Sequence, residues 1–290
     1  MTLRLATRGS VLALAQAKEA AELLGGAEIV ECSSDGEPGD KARFVRGVER
    51  ALLDGRADIG VHSAKDLPAE LPEGLAIAGA PARAAPEDVW VGTAASLDQV
   101  PAGARVGTAS LRRRAQLLAA RPDLVVEELH GNVDTRLRRR ENGDFEGIVL
   151  AAAGLRRLGR QAEASFAFAT EQMTPAAGQG ILVFQARSGD EAAEAAAAAS
   201  DTRALTELTA ERAVVAALDA SCATPIGVNA SLEDGELALA AFVGLPDGSE
   251  WVRDRIEGDA GDPAGLGRTI AGRLLDAGAG ELLRRAEETL

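Results

Sequence analysis

The sequence predicts an α/β protein of two similar lobes followed by a smaller α+β domain. Three observations predict it. Strand-like and helix-like segments alternate from Leu3 to Leu158, the order that lays helices on sheets. The alternation pauses around Arg83 to Pro86 and resumes at Asp88, which divides it into two lobes with a ligand cleft expected between them. Beyond Leu218 two Asp-Gly turns separate three alternating strands, the signature of hairpins in a small antiparallel sheet. A chain of 290 residues also exceeds what one core ordinarily organises, so two or three domains are expected.

The elements follow in order. Leu3 to Ala6 is a short strand, and Ser10 caps a helix from Val11 to Leu24 that Gly25-Gly26 stops. Glu28 to Cys32 is a strand, and Cys32 within that pattern reads as a core residue. Ser33 to Asp40 is polar and rich in Gly and Pro, a surface loop. Phe44 to Leu53 is a helix ending at Gly55, and Ala57 to Val61 a buried strand. The second lobe opens with a strand at Val89 to Val91. Arg105 to Gly107 is a strand that turns through Thr108-Ala109-Ser110 into a helix from Leu111 to Ala120. Strand Val125 to Leu129 leads to helix Thr135 to Asn142, and strand Gly147 to Ala151 to a helix from Gly154. This order implies mostly parallel sheets, with ligands beyond the carboxyl ends of the strands and against helix N-termini. Strand Ile181 to Ala186, an Ala-rich helix Glu191 to Ser200 and a long helix Thr202 to Leu218 come next. Val228 to Leu232, Leu237 to Leu245 and Glu250 to Ile256 form the antiparallel sheet, and helices from Pro263 and Ala279 close the chain.

Composition narrows the function classes. The chain is 46% hydrophobic and 26% charged, as a folded domain is, and has no apolar run of membrane-spanning length. Its first residues lack the blocks of a signal peptide, so a cytoplasmic protein is expected. Two cysteines without a CxxC pair, and two histidines, argue against a disulfide scaffold and a thiolate metal site. A net charge of −14 argues against nucleic acid. Only three lysines occur among 31 basic residues; a salt-loving source and a GC-rich genome both account for that. Charge is nonetheless uneven: Arg105 to Arg160 holds twelve arginines against seven acids, a basic island suited to an anionic ligand.

Four clusters could carry chemistry. Ala6-Thr7-Arg8-Gly9-Ser10 follows a strand and can hold a carboxylate at a helix start, although a cap alone also explains Ser10. His62-Ser63-Ala64-Lys65-Asp66 ends a buried strand, where a carboxylate can move protons or steady a cation; a surface Lys-Asp pair is the plainer reading. The third cluster is a set of arginines at strand ends: Thr108, Ser110, Arg112 and Arg113; His130 and Arg136; Arg156 and Arg157. Arginine grips carboxylates bidentately, so three such sites suit a polycarboxylate. The fourth is Ser221-Cys222-Ala223-Thr224-Pro225, where a lone turn cysteine is a nucleophile, an attachment point or an inert buried thiol.

Taken together, ATRGSVLALAQA, ADIGVHSAKDLP, VGTASLRR, GNVDTRL, LAAAGLRRLG, PAAGQG, TAERA and CATPIG, in that order, resemble porphobilinogen deaminase (hydroxymethylbilane synthase) over nearly the whole chain. The resemblance implies two periplasmic-binding-protein-like lobes, residues 1–85 with 180–199 and residues 86–179, and a cofactor-attachment domain over 200–290. It implies a monomeric transferase of tetrapyrrole biosynthesis that joins four porphobilinogen units, releases ammonia and yields hydroxymethylbilane. It implies a dipyrromethane cofactor on a thioether to Cys222, with no nucleic-acid or membrane partner. Asp66 would be the central catalytic carboxylate, steadying the azafulvenium cation. Lys65, Ser63, Thr108, Ser110, Arg112, Arg113 and Arg136 would hold the cofactor's acetates and propionates, with His130 where the family usually has arginine. Arg8, Ser10, Gln16, Lys41 and Arg157 would serve the substrate or growing chain. Ser221 and Val11 also depart from the family's usual Gly and Pro, and the loop before Lys41 is short. A two-lobed solute-binding or regulatory protein, and a catalytically impaired relative, are the alternatives.

Overall fold

The structure, a computed structural model, describes residues 2–33, 43–220 and 224–288. The predicted loop Ser33 to Asp40 therefore lies outside it beyond Ser33, as do Lys41, Ser221 and Cys222. The first lobe contains β1 (Leu3–Arg8), α1 (Val11–Leu23), β2 (Ala27–Cys32), α2 (Arg43–Leu53), β3 (Ile59–Ser63) and β4 (Leu75–Gly79). The second contains β5 (Asp88–Gly92), β6 (Arg105–Gly107), α3 (Leu111–Ala120), β7 (Val125–Glu127), α4 (Val133–Glu141), β8 (Gly147–Ala151), α5 (Ala152–Arg157) and β9 (Phe166–Ala167). The chain then lays β10 (Leu182–Arg187) into the first sheet and continues through α6 (Glu191–Ala198) and α7 (Thr202–Ala217). β11 (Ile226–Glu233), β12 (Glu236–Gly244) and β13 (Trp251–Asp259) form an antiparallel sheet covered by α7, α8 (Pro263–Asp276) and α9 (Ala279–Glu288). Among the described residues no helix is long and apolar enough to cross a membrane.

The two lobe sheets share one plan. Their strand orders are β2-β1-β3-β10-β4 and β7-β6-β8-β5-β9. In each, the second strand runs parallel to both neighbours, and the fourth (β10 or β5) runs antiparallel to both of its own. The sheets are thus mixed, which corrects the expectation of mostly parallel ones. A parallel partner needs a helical crossover to bring the chain back. β5 and β10 are instead reached by segments without a helix that pass from one lobe to the other, residues 80–87 and 168–181. Two further differences matter. β4 and β9 were not anticipated, being short and apolar without alternation. β3 runs to Ser63 rather than stopping at Val61, because β10 pairs with it as far as Leu182↔Ser63.

Local sequence explains three of the helix starts. Ser10 accepts the amide of Ala13, Ser110 that of Arg113 and Asn132 that of Thr135, each satisfying a first-turn donor. Both lobe sheets are apolar on two faces. In the second, Trp90, Val106 and Phe168 fill one side, and Leu129, Ile148 and Leu155 the other. Trp90 is 1% exposed, and a side chain at Gly147 would put its Cβ 1.9 Å from the indole Cζ2, so only glycine fits beneath the ring.

The two crossovers and the C-terminal domain meet at Arg83. Its guanidinium lies 2.7 Å from Glu211 Oε1 and 3.3 Å from Glu207 Oε2, both on α7, and donates to Gln179 O, Ala230 O and Asn229 Oδ1. Glu211 in turn accepts from the amides of Gly178 and Ala230. All three charged side chains are buried and every one is hydrogen-bonded, as burial requires.

Candidate active site

Three of the four clusters lie at the ends of β1 and β3 in one lobe and of β6, β7 and β8 in the other; of the fourth, only Thr224 and Pro225, just before β11, are described. Arg8 ends β1, and its Nη2 stands 3.8 Å from Asp66 Oδ2 in a half-buried ion pair. Asp66 belongs to a single 3-10 turn, Ala64–Asp66, that follows β3 directly. Ser63 accepts a 2.8 Å hydrogen bond from Gln16 Nε2, which ties the end of β3 to α1. Arg8, Ser10, Gln16, Ser63, Lys65 and Asp66 are thus gathered on the first lobe's side.

On the second lobe, Thr108 Oγ1 accepts the Ser110 amide at 3.2 Å, which shapes the turn into α3. The next two arginines converge on Asp88 at the start of β5. Arg112 Nη1 reaches Asp88 Oδ2 at 2.7 Å and Thr174 O at 2.8 Å. Arg113 reaches Asp88 Oδ1 through Nε at 3.0 Å and Nη2 at 2.7 Å, and donates to Val149 O. Burial alone would raise the Asp88 carboxyl, but Arg112 and Arg113 hold it below the usual carboxylate range. Arg112 and Arg113 therefore have a structural partner that the sequence reading did not give them, and their other N–H groups remain for a ligand.

Two cations at the cleft are destabilised by the same neighbour. Burial, and next Arg113, push Lys65 down to about 8. Burial and Arg113 likewise push Arg136 down to about 10, while its Nε donates to Gly131 O. An anionic group bound among Lys65, Arg113 and Arg136 relieves both, so the donor set fits a polycarboxylate ligand. His130 is not part of that buried set: its ring is 74% exposed, with Nε2 2.9 Å from Glu128 Oε2. Arg157 bridges the lobes, its Nε donating to Glu19 Oε2 of α1 at 2.9 Å and its Nη2 to Gly180 O at 3.1 Å.

Cys222 and Lys41 lie outside the described residues. The start of β11, which follows in sequence, is held close to the arginines: Val228 N donates to Pro175 O, and a Cβ at Gly227 would lie 2.5 Å from Thr174 O, the same carbonyl that Arg112 grips. Cys32, by contrast, is buried in the first lobe, and burial raises its thiol above the ordinary value. Sequence reasoning missed Asp88, Gln179 and Glu19. Asp88 carried a signal, a carboxylate at the head of the apolar run Val89-Trp90-Val91; Gln179 carried one in the glycines on both sides of it.

The chain is similar to known proteins over most of its length. The family profile described as porphobilinogen deaminase, dipyromethane cofactor binding domain, matches residues 3–195, and that of the porphobilinogen deaminase C-terminal domain matches 205–276. The porphobilinogen deaminase of Syntrophus aciditrophicus is 41% identical, covering 99% of each chain. That of Thermus thermophilus is 43% identical over 96% of each, and that of Roseiflexus castenholzii 47% identical over 84% of this chain and 81% of its own. Among solved structures, the periplasmic VFT2 domain of Bordetella pertussis BvgS aligns with 68% of this chain and 86% of its own at 14% identity, with a TM-score of 0.40.

Proposed function

The chain belongs to the porphobilinogen deaminase family, and from that premise we propose that it joins four porphobilinogen units head to tail, losing ammonia at each step, and releases hydroxymethylbilane. Dipyrromethane, held by Cys222 through a thioether, would supply the pyrrole position to which the first unit is added. The observation that carries the reading is Asp66: a carboxylate at the mouth of a strand, paired with Arg8 and set beside cations that want an anion. Porphobilinogen gains positive charge at its aminomethyl carbon as ammonia leaves, and a fixed carboxylate there lowers the barrier. Arg8 orients that carboxylate. Lys65, Ser63, Thr108, Ser110, Arg112, Arg113, Arg136 and His130 hold the cofactor's carboxylates; Arg8, Ser10, Gln16, Lys41 and Arg157 hold those of the substrate. His130 offers a weaker hold than arginine would, from an exposed ring that faces Glu128.

The reading carries with it domains dividing at 1–85 with 180–199, 86–179 and 200–290, and a monomer at work in the cytoplasm without nucleic-acid or membrane partners. Two measurements test it. Purified protein given porphobilinogen should form hydroxymethylbilane and ammonia. Intact mass should exceed that of the bare chain by two pyrrole units, and Cys222→Ser should lose them. A bare mass from a porphobilinogen-making host, together with no product, overturns the reading.

A further inference from the structure

Gln179 sits where the second crossover passes between the two lobes, flanked by glycines with φ of 71° and 89°. A Cβ at Gly178 would lie 2.6 Å from that of Ala64, and one at Gly180 would lie 2.3 Å from Ala84 O. The backbone is thus pressed against the Lys65 turn on one side and the first crossover on the other. The Gln179 side chain is buried and its amide is spoken for. Nε2 donates to Pro86 O at 2.6 Å and to Asp88 Oδ1 at 3.0 Å; Oε1 accepts from Lys65 Nζ at 3.3 Å. A flipped amide would turn Oε1 toward a carbonyl and a carboxylate, acceptor against acceptor, so chemistry fixes which way it points.

We propose that Gln179 is a positioning residue for the reaction: through its amide it couples Lys65 on the first lobe to the Asp88–Arg112–Arg113 cluster on the second, and so holds the Lys65 ammonium in the cleft beside Asp66. The proposal rests on the family reading for what the cleft binds, and on geometry alone for the link. Among the described residues, the charged groups facing Lys65 include Asp66 in its own turn, Asp88 on β5, and Arg112 and Arg113 on α3. Asp88 answers the two arginines, while the Gln179 carbonyl oxygen steadies the charged form of Lys65 among them. Neither contact requires Gln179 to touch substrate.

The chain's three lysines make the link measurable. In protein labelled with 15N or 13C at the lysine termini, Lys65 is assigned from the resonance lost in Lys65→Arg. Gln179→Met removes the acceptor, and the Lys65 midpoint should fall by about half a pH unit or more. Gln179→Glu keeps an acceptor and adds charge, and the midpoint should rise by a similar amount. Lys18 and Lys41 should stay put, and the alkaline limb of kcat/KM should move with Lys65 in each variant. A Lys65 midpoint unchanged in both variants, or moving the same way in both, overturns the proposal. So does activity lost without movement of the pH profile, or failure of both variants to fold, since either leaves Gln179 a purely structural part. Absence of turnover in the parent protein instead sinks the family reaction and leaves the lysine titration as the test of the link.

Discussion

Lys65 and Asp66 are neighbours in one turn and face different electrostatic demands. Asp66 is a third exposed and its only described ion pair, to Arg8, is loose, so it contributes little to the fold. Asp66→Ala is therefore expected to lower kcat by about a hundredfold or more while the melting temperature stays close to the parent's; wild-type turnover would remove Asp66 from the mechanism. Lys65 has the opposite balance. Its folded value of about 8 lies below the ordinary 10.5, so below pH 8 the folded chain carries the full cost of that charge. Between 8 and 10.5 the unfolded chain binds more protons, and stability rises with pH as the cost is shed. Lys65→Met, made with Cys222→Ser so that no cofactor is attached, is expected to gain roughly 1–2 kcal/mol at pH 7, and to lose that gain as pH passes 10.5. Urea unfolding across pH checks both the gain and its sign. At this scale the sequence was most informative about residues at strand ends, where type and position coincide. It was silent on Asp88 and Gln179, because their importance lies in partners 24 and 91 positions from Asp88 along the chain.

At the scale of elements, the legible parts were those whose signals are local. The helix Leu111–Ala120 and the strand Gly147–Ala151 stand where caps and apolar runs place them. β4 was not legible, because its five residues are stabilised by β10, whose sequence comes after an entire lobe. The mixed character of the sheets is hidden for the same reason: direction depends on how the chain returns. The contact of α1 with α5 is likewise long-range, and it places a carboxylate on an arginine assigned to substrate. On the proposed substrate role of Arg157, Glu19 would compete with an incoming carboxylate for it. Glu19→Gln is accordingly expected to lower KM for porphobilinogen severalfold with kcat little changed, and to alter stability by less than about 1 kcal/mol, since the Glu19 side chain is 41% exposed. A raised KM would show that the pair serves closure of the lobes rather than restraint of Arg157.

Across the whole molecule, Arg83 joins both crossovers to the C-terminal domain. Removing one partner from a buried ion network leaves a charge unpaired, and Arg83→Ala strands Glu211, while Glu207 keeps Arg203 at 3.0 Å. A loss of about 3–5 kcal/mol is expected, seen as a lower melting temperature; a change under 1 kcal/mol would mean the junction is solvated. Glu211 already shows the strain, its carboxyl raised by burial against the pull of Arg83. The glycine beneath Trp90 has a consequence of another kind. The chain has two tryptophans and no tyrosine, so its ultraviolet emission comes from two indoles. Trp90 is sealed in the second lobe, while Trp251 is 50% exposed on the C-terminal sheet. The first should emit to the blue and resist iodide; the second should emit to the red and be quenched. Gly147→Ala, by forcing a methyl group into the indole's place, should erase the shielded component alone, which makes the native protein its own two-colour reporter of how each part of the molecule holds together.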